Sequence, residues 1–130
     1  MSDRFRRLAL AVALAVFAAG EAAAAEVQEF NDQEFLRAQQ SGQRMLVVVR
    51  SPWKPGSRDL DDTLYRLAAD PAYDDVTVFE VDFDRRRDVL HRLNLAHDRI
   101  VVAYRGAMER GRLTGLIDEM ELRHLLDATR

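Results

Sequence analysis

Ser57 and His97 are the two side chains that could act as a nucleophile and its general base. Such chemistry also needs a third group that orients the histidine and donors that stabilise an oxyanion, and no motif in the sequence supplies either. Ser57 is also expected to be the N-cap of a helix, because Asp59 and Asp61 follow it where the helix dipole favours negative charge. The sequence therefore favours a capping role for Ser57 over hydrolase chemistry.

Three basic side chains, those of Arg50, Lys54 and Arg99, could meet near the N-terminus of the same helix. That arrangement would hold a carboxylate or another anion, because the first backbone N–H groups of a helix attract negative charge. The aspartates that follow Ser57 would offset these cations, and surface charges usually carry no specific role. The pattern favours solvated surface charges and leaves an anion site open as the alternative.

Thiol chemistry is excluded, because the 130 residues include no cysteine. Thiolate nucleophiles, disulfides and thiolate metal sites all need that side chain. The three histidines, His91, His97 and His124, do not have the spacing of a metal motif. We therefore expect no metal and no cofactor.

Apolar segments and helix-start signals alternate along the chain and predict the order β-α-β-α-β-α-β-β-α. The strands are expected at 26–30, 45–49, 76–81, 100–104 and 112–117. The four helices are expected to begin at the caps Asn31, Ser57, Asp84 and Asp118. A tight turn is expected at 106–111. Parallel βαβ units followed by a hairpin and a last helix predict an α/β fold with a central mixed sheet flanked by helices.

The first 25 residues have the pattern of a signal peptide. Arg4, Arg6 and Arg7 precede an apolar stretch at 8–20, and small residues precede Glu26. The apolar stretch is shorter than the roughly 20 residues that a spanning helix needs, so cleavage is favoured over a membrane anchor. We expect export to the bacterial periplasm and one domain at 26–130. Cleavage would remove three arginines and two carboxylates and change the net charge from −3 to −4, which argues against nucleic-acid binding.

The segment from Met45 to Ser57, M-L-V-V-V-R-S-P-W-K-P-G-S, resembles the active-site strand and loop of the thioredoxin family, which runs into W-C-G-P-C. The run from Val81 to Asp84, V-D-F-D, is similar to the V-D-V-D of the family's central strand. Leu93 to Leu95, L-N-L, resembles the Y-G-I before the family's cis-proline loop, and the R-L-T-G from Arg112 resembles the family's closing R-x-x-G strand. Pro52-Trp53 is the most specific match. The resemblance implies a thioredoxin-like fold over nearly all of residues 26–130.

The departures from the family pattern fall on its chemistry. Lys54 and Ser57 stand at the two cysteine positions, and Pro55-Gly56 inverts the spacer between them. Arg99 aligns with the family's cis-proline, and Val48 aligns with its buried acid. The resemblance therefore implies a member of the family without its redox centre.

The family's groove receives an extended peptide between the tryptophan loop and the cis-proline loop, partly through backbone hydrogen bonds. The resemblance thus implies a periplasmic, non-catalytic module that binds a protein or peptide with Trp53, Lys54, Ser57, His97 and Arg99. One alternative is a divergent subunit that binds a small anion or works with redox partners that supply the cysteines. Another is an accessory subunit that docks permanently on a larger assembly.

Overall fold

The computed structural model describes residues 24–54 and 57–130. The predicted signal peptide at 1–25 lies outside the described residues except for its last two positions. Pro55 and Gly56, the inverted spacer, are also outside them. No helix in the described part of the chain is long and apolar enough to cross a membrane.

Within the described ranges, five strands and four helices follow one another in the order that the sequence predicts. The strands are β1 (Glu26–Glu29), β2 (Arg44–Arg50), β3 (Val76–Asp82), β4 (Ile100–Arg105) and β5 (Met108–Thr114). The helices are α1 (Asp32–Gln40), α2 (Ser57–Ala68), α3 (Arg87–Arg92) and α4 (Glu119–Asp127), with a short 3₁₀ turn at Pro71–Tyr73. The sheet has the strand order β1-β3-β2-β4-β5. β1, β3 and β2 are parallel, β4 runs antiparallel to β2, and β5 runs antiparallel to β4. The predicted mixed-sheet α/β fold is confirmed.

The central strand β2 is apolar on both faces because helices cover both sides of the sheet. Met45, Val47 and Val49 belong to one buried cluster, and Leu46 and Val48 belong to the other, as the period of two requires. The first cluster includes four aromatic rings with neighbouring centroids 5.0 to 5.8 Å apart, those of Phe30, Phe35, Phe79 and Tyr104. Because the core fixes β2 from both sides, the loop that follows this strand starts from a rigid position.

Two predicted helix caps are confirmed by their hydrogen bonds. The side chain of Asn31 accepts from the backbone N–H of Glu34 at 3.1 Å, and that of Asp118 accepts from Glu121 at 2.8 Å. Each bond satisfies one of the N–H groups that a helix leaves without an internal partner. These caps fix where α1 and α4 begin.

Three local predictions were wrong. Asp84 does not cap α3, which begins at Arg87 after a residue without a side-chain cap. Asp82 Oδ1 instead accepts from the backbone N–H of Asp84 and Arg85 and shapes the turn after β3. Ser57 is the first helical residue of α2 and not its cap. The predicted turn at 106–111 is shorter, since β5 begins at Met108. The first three residues of β5 are exposed and two of them are charged, so this edge strand has the composition of a loop.

Candidate functional site

The candidate site lies at the sheet edge where β2 and β3 end and β4 begins. Arg50, the last residue of β2, pairs with Asp82 at the end of β3, and Val49 pairs with Ile100 at the start of β4. The loops that leave or enter these strand ends must therefore lie side by side. This topology brings the 51–54 loop next to the loops at 83–86 and 96–99.

Trp53 is exposed at this edge and is held in place by two neighbours. Its side chain is 69% exposed, yet its indole Nε1 donates a hydrogen bond to Asp84 Oδ2 at 2.6 Å. The ammonium of Lys54 lies 5.3 Å from the centroid of the Trp53 ring, within the range of a cation–π contact. The indole therefore presents its apolar surface to solvent from a fixed position.

Lys54, which stands at the first cysteine position, forms an ion pair with Asp98 from the opposite loop. The hydrogen bond from Lys54, with a smaller contribution from its charge, lowers the pKa of Asp98 below its ordinary value. The pair is partly exposed, so it adds little to global stability. Its main effect is to tie the 51–54 loop to the 96–99 loop.

Ser57, at the second cysteine position, is buried, and its hydroxyl donates to the carbonyl of Pro52 at 3.2 Å. A serine hydroxyl has one hydrogen, so this bond leaves none to donate to a base. His97 is exposed, and no hydrogen bond joins it to Ser57 in the described part of the chain. The structure does not assemble the nucleophile and base that the sequence allowed.

A narrow pocket beside the 51–54 loop brings the three predicted cations together. It is lined by Arg50, Ser51, Lys54, Ser57, Leu60, Asp98 and Arg99. Arg50, Lys54 and Arg99 thus lie close together, which is the arrangement that the alternative of an anion site requires. His97 does not line this pocket. Within residues 24–54 and 57–130 there is no cis peptide bond, so the bond before Arg99 is trans.

Sequence reasoning missed the carboxylates that balance these cations. Arg50 forms ion pairs with Asp61 on α2 at 2.9 Å and with Glu80 on β3 at 3.1 Å. Burial raises the pKa of Asp61, and the positive charge of Arg50 opposes that change. The signal for this network was a basic residue at the end of an otherwise apolar buried strand, because a cation at such a position needs a partner.

Three buried polar atoms in this region have no hydrogen-bond partner among the described residues. They are Arg50 Nε, Ser51 Oγ and Asp61 Oδ1. Ser51 is only 2% exposed and also lines the pocket. A buried hydroxyl without a partner is costly, so Ser51 is an unusual feature of the wall of this charged pocket.

No group of three or more histidine, aspartate or glutamate side chains in the described ranges is arranged to hold a metal ion. The ion pairs of the pocket join side chains of opposite charge from separate segments of the chain. What this edge of the sheet offers chemically is an exposed indole beside charged groups on two adjacent loops.

Comparison with solved structures finds the same fold in proteins from several organisms. The crystal structure of Trxlp from Edwardsiella tarda EIB202 is 31% identical, with a TM-score of 0.74, and the match covers 78% of this chain and 98% of that one. A single-residue mutant of thioredoxin from Halobacterium salinarum NRC-1 is 18% identical, with a TM-score of 0.71 and coverage of 85% and 96%. Thioredoxin O2 from Arabidopsis thaliana, in its oxidised state, is 16% identical, with a TM-score of 0.65 and coverage of 81% and 93%.

No protein-family model matches the chain, and no curated protein matches it. The similarity is therefore carried by tertiary structure and by the identity to the Edwardsiella protein. At 31% identity over nearly the whole of that chain, the match is closer than fold alone would give.

Proposed function

Because this chain belongs to the thioredoxin family but has no cysteine, we propose that it is an exported, non-catalytic module that binds a protein or peptide partner in the bacterial periplasm. Thiol–disulfide exchange proceeds by attack of a thiolate on a disulfide sulfur. Lys54 and Ser57 stand at the two cysteine positions, and neither has a sulfur atom that could attack a disulfide or form one. The chain therefore cannot carry out the family's redox reaction with side chains of its own.

The binding proposal rests on the exposure and the fixed orientation of the Trp53 side chain. An exposed tryptophan anchored by a hydrogen bond offers a large apolar contact whose orientation is already fixed. Tryptophan is enriched among the residues that dominate binding energy at interfaces. Asp84 and Lys54 already hold the ring. Binding of a partner would therefore cost less side-chain entropy at Trp53 than at a mobile side chain.

The loops beside Trp53 supply the polar part of the proposed contact. Lys54, His97 and Arg99 lie on the two loops that face each other at the sheet edge, and Ser57 forms part of the buried floor. An extended segment between these loops could bond to their backbone groups while its side chains meet the exposed cations and indole. The family relationship supports this placement, since the corresponding groove receives peptides there.

The test is capture of partners from a periplasmic extract, with identification by mass spectrometry. The bait is the wild-type chain, Trp53→Ala or Tyr65→Ala. Tyr65 is a suitable control because it is an exposed aromatic residue on α2 and does not line the pocket. We expect one partner to be captured by the wild type and the Tyr65 variant and lost with Trp53→Ala. Equal capture by all three, with unchanged thermal midpoints, would place the interface elsewhere and contradict the proposal.

The export part of the proposal has its own support and test. β1 begins at Glu26, directly after the predicted cleavage position, so cleavage would leave every described strand and helix whole. The proposal predicts a periplasmic form with the mass of a chain that begins at Glu26. A cytoplasmic form that keeps residues 1–25 would contradict it.

A second candidate is a site for a small anion, and Ser51 is the observation that favours it. Its buried hydroxyl, without a partner among the described residues, lines a pocket that also holds Arg50, Lys54 and Arg99. Against this, Asp61, Glu80 and Asp98 already balance the charge of the pocket. An anion would therefore have to displace an existing ion pair.

Thermal denaturation with inorganic phosphate or acetate tests the anion site, because a ligand that binds only the folded state raises the midpoint. The anion candidate predicts a rise that depends on concentration and is lost in Ser51→Ala, while sodium chloride at equal ionic strength has no such effect.

If the captured partner is instead a cysteine-containing redox enzyme, the chain would be a subunit that works with cysteines supplied by that partner.

A further inference from the structure

A second, larger hollow lies beside α3 and the start of the 96–99 loop. Its volume is about 260 Å³, and it is lined by Phe83, Arg87, Leu90, His91, Asn94, Leu95 and Ala96. None of these residues belongs to the narrow pocket beside the 51–54 loop. The hollow is therefore separate from the set of residues that the sequence predicted.

Residues that line the hollow are chain neighbours of residues at the Trp53 surface. The backbone N–H of Phe83 donates to the carbonyl of Arg50 at 3.0 Å, and the next residue, Asp84, holds the Trp53 indole. Ala96 is followed directly by His97. A peptide segment lying across the Trp53 surface would thus reach the hollow within a few residues, since an extended chain covers about 3.3 Å per residue.

The floor of the hollow is apolar. Leu90 and Leu95 form it from α3 and the loop that follows, and Phe83 packs against the same core cluster while staying partly exposed. The volume is below the roughly 300 Å³ at which small-molecule sites begin. It suits one bulky apolar side chain from a larger partner better than a separate organic ligand.

Three arginines lie on or beside α3, and Arg87 is the one that lines the hollow. Arg86 and Arg92 are each bound by Asp32 and Asp88 through ion pairs. Arg87 is exposed and forms no ion pair with any residue in the ranges 24–54 and 57–130. A cation at the mouth of an apolar hollow favours a partner that places a carboxylate beside its apolar side chain.

We propose that this hollow is the specificity pocket of the module and receives one bulky aliphatic or aromatic side chain from a partner segment in which an acidic residue is adjacent. The inference rests on the proposed binding function and adds the chemistry of the partner. The chain's own N-terminal segment does not suit the pocket, because its charged residues near the start are mainly Arg4, Arg6 and Arg7. The pocket instead selects an acidic and apolar peptide of another protein.

The test uses protein produced from the full-length chain and three acetylated peptides. The first is Gly-Asp-Leu-Glu-Gly, and the two control peptides are Gly-Asp-Ala-Glu-Gly, which replaces leucine with alanine, and Gly-Lys-Leu-Lys-Gly, which replaces the acidic residues with lysine. Methyl resonances of Leu90 and Leu95 report occupation of the floor directly. We expect the acidic leucine peptide to shift both sets of methyl signals with saturation. The alanine and lysine control peptides should bind about tenfold more weakly or not at all, since the first lacks the bulky apolar side chain and the second lacks the acidic residues.

Two variants with a matched control separate the pocket from a general charge effect. Arg87→Glu should weaken the acidic peptide about fivefold or more, and Ala96→Leu, which fills the hollow from an exposed position, should abolish the methyl shifts. Arg110→Glu makes the same charge change at an exposed position at the start of β5 and should leave affinity within about twofold. Equal weakening by Arg87→Glu and Arg110→Glu, or saturating shifts that persist in Ala96→Leu, would overturn the proposal.

Failure of the specificity pocket can be distinguished from failure of the proposed binding function itself. If Trp53→Ala abolishes capture of a partner while Arg87→Glu and Ala96→Leu leave it intact, the module binds through the Trp53 surface and the specificity pocket is wrong. If no partner depends on Trp53 but the acidic leucine peptide still binds the hollow, the pocket stands and the Trp53 surface is wrong.

Discussion

The indole of Trp53 and the carboxylate of Asp84 are joined by a 2.6 Å hydrogen bond between Nε1 and Oδ2, although 31 positions separate them in the chain. The bond links the loop after β2 to the loop after β3. It fixes an exposed aromatic ring at the surface where we propose that a partner binds. Without it, the ring would be free to change its orientation, and its value as an anchor would fall.

Replacement of Asp84 with alanine should release the Trp53 ring without unfolding the domain. Trp53 is the only tryptophan in the chain, so its fluorescence reports on this site alone. We expect faster anisotropy decay and stronger acrylamide quenching in Asp84→Ala, with the free energy of unfolding changed by less than about 1 kcal/mol because the bond is exposed. Asp74→Ala, at an exposed position before β3, is the control and should resemble the wild type. Identical fluorescence in both variants would show that the bond does not restrain the ring.

Lys54 should control the titration of Asp98. An ordinary aspartate has a pKa of about 3.9, and the hydrogen bond from Lys54 lowers that of Asp98 in the folded state. The stabilisation from this pair is therefore complete above that ordinary value and is lost as the pH falls through the lower, folded pKa. In Lys54→Met, NMR titration should show the pKa of Asp98 rising toward its ordinary value. The pKa of Asp70, which is lowered first by the Ala72 backbone N–H and then by Arg123, should not change.

Arg44 should contribute strongly to stability through its buried hydrogen bonds. Its guanidinium donates to Thr129 Oγ1 at 2.9 Å and to the carbonyl of Leu126 at 3.1 Å, which joins the start of β2 to the end of α4. In Arg44→Met these buried acceptors lose a donor, so we expect a loss of about 2–4 kcal/mol in urea denaturation. Asp75→Asn removes only the partly exposed ion pair of Arg44 and should cost less than about 1 kcal/mol. Similar losses in the two variants would mean that the ion pair, and not the buried bonds, dominates.

Gly106 should be the more sensitive of two glycines with a positive φ. Gly106 has a φ of +60°, and an added Cβ would lie 3.1 Å from Gly42 Cα and 3.2 Å from the carbonyl oxygen of Gln39. These backbone atoms cannot easily move, so we expect Gly106→Ala to cost about 2–3 kcal/mol. Gly42 has a φ of +71° with nothing within 4 Å of an added Cβ, so Gly42→Ala should cost only about 1 kcal/mol. Equal midpoints in thermal denaturation would contradict the predicted packing difference.

The order of elements was predictable because it depends on local patterns. The continuous apolar run of β2 and the capping residues Asn31 and Asp118 are signals that act within a few positions of the chain. The first residues of β5 were not predictable, because exposed charges on an edge strand have the composition of a loop. The helix start at Arg87 was also missed, since a side chain does not cap it and Asp84 instead bonds to Trp53.

By itself, the sequence determined the fold class, the absence of thiol chemistry and the candidate residues on the loop after β2. Those conclusions follow from hydrophobic periodicity and from residue identity, which need no long-range contact. Only the tertiary structure decided which charges meet. Lys54 pairs with Asp98, Arg50 pairs with Asp61 and Glu80, and Arg87 lies beside an apolar hollow with no ion pair to any described residue. Such partners lie 11 to 44 positions apart, and ion pairing depends on the distance between atoms, which the packing of strands and helices sets and local sequence does not.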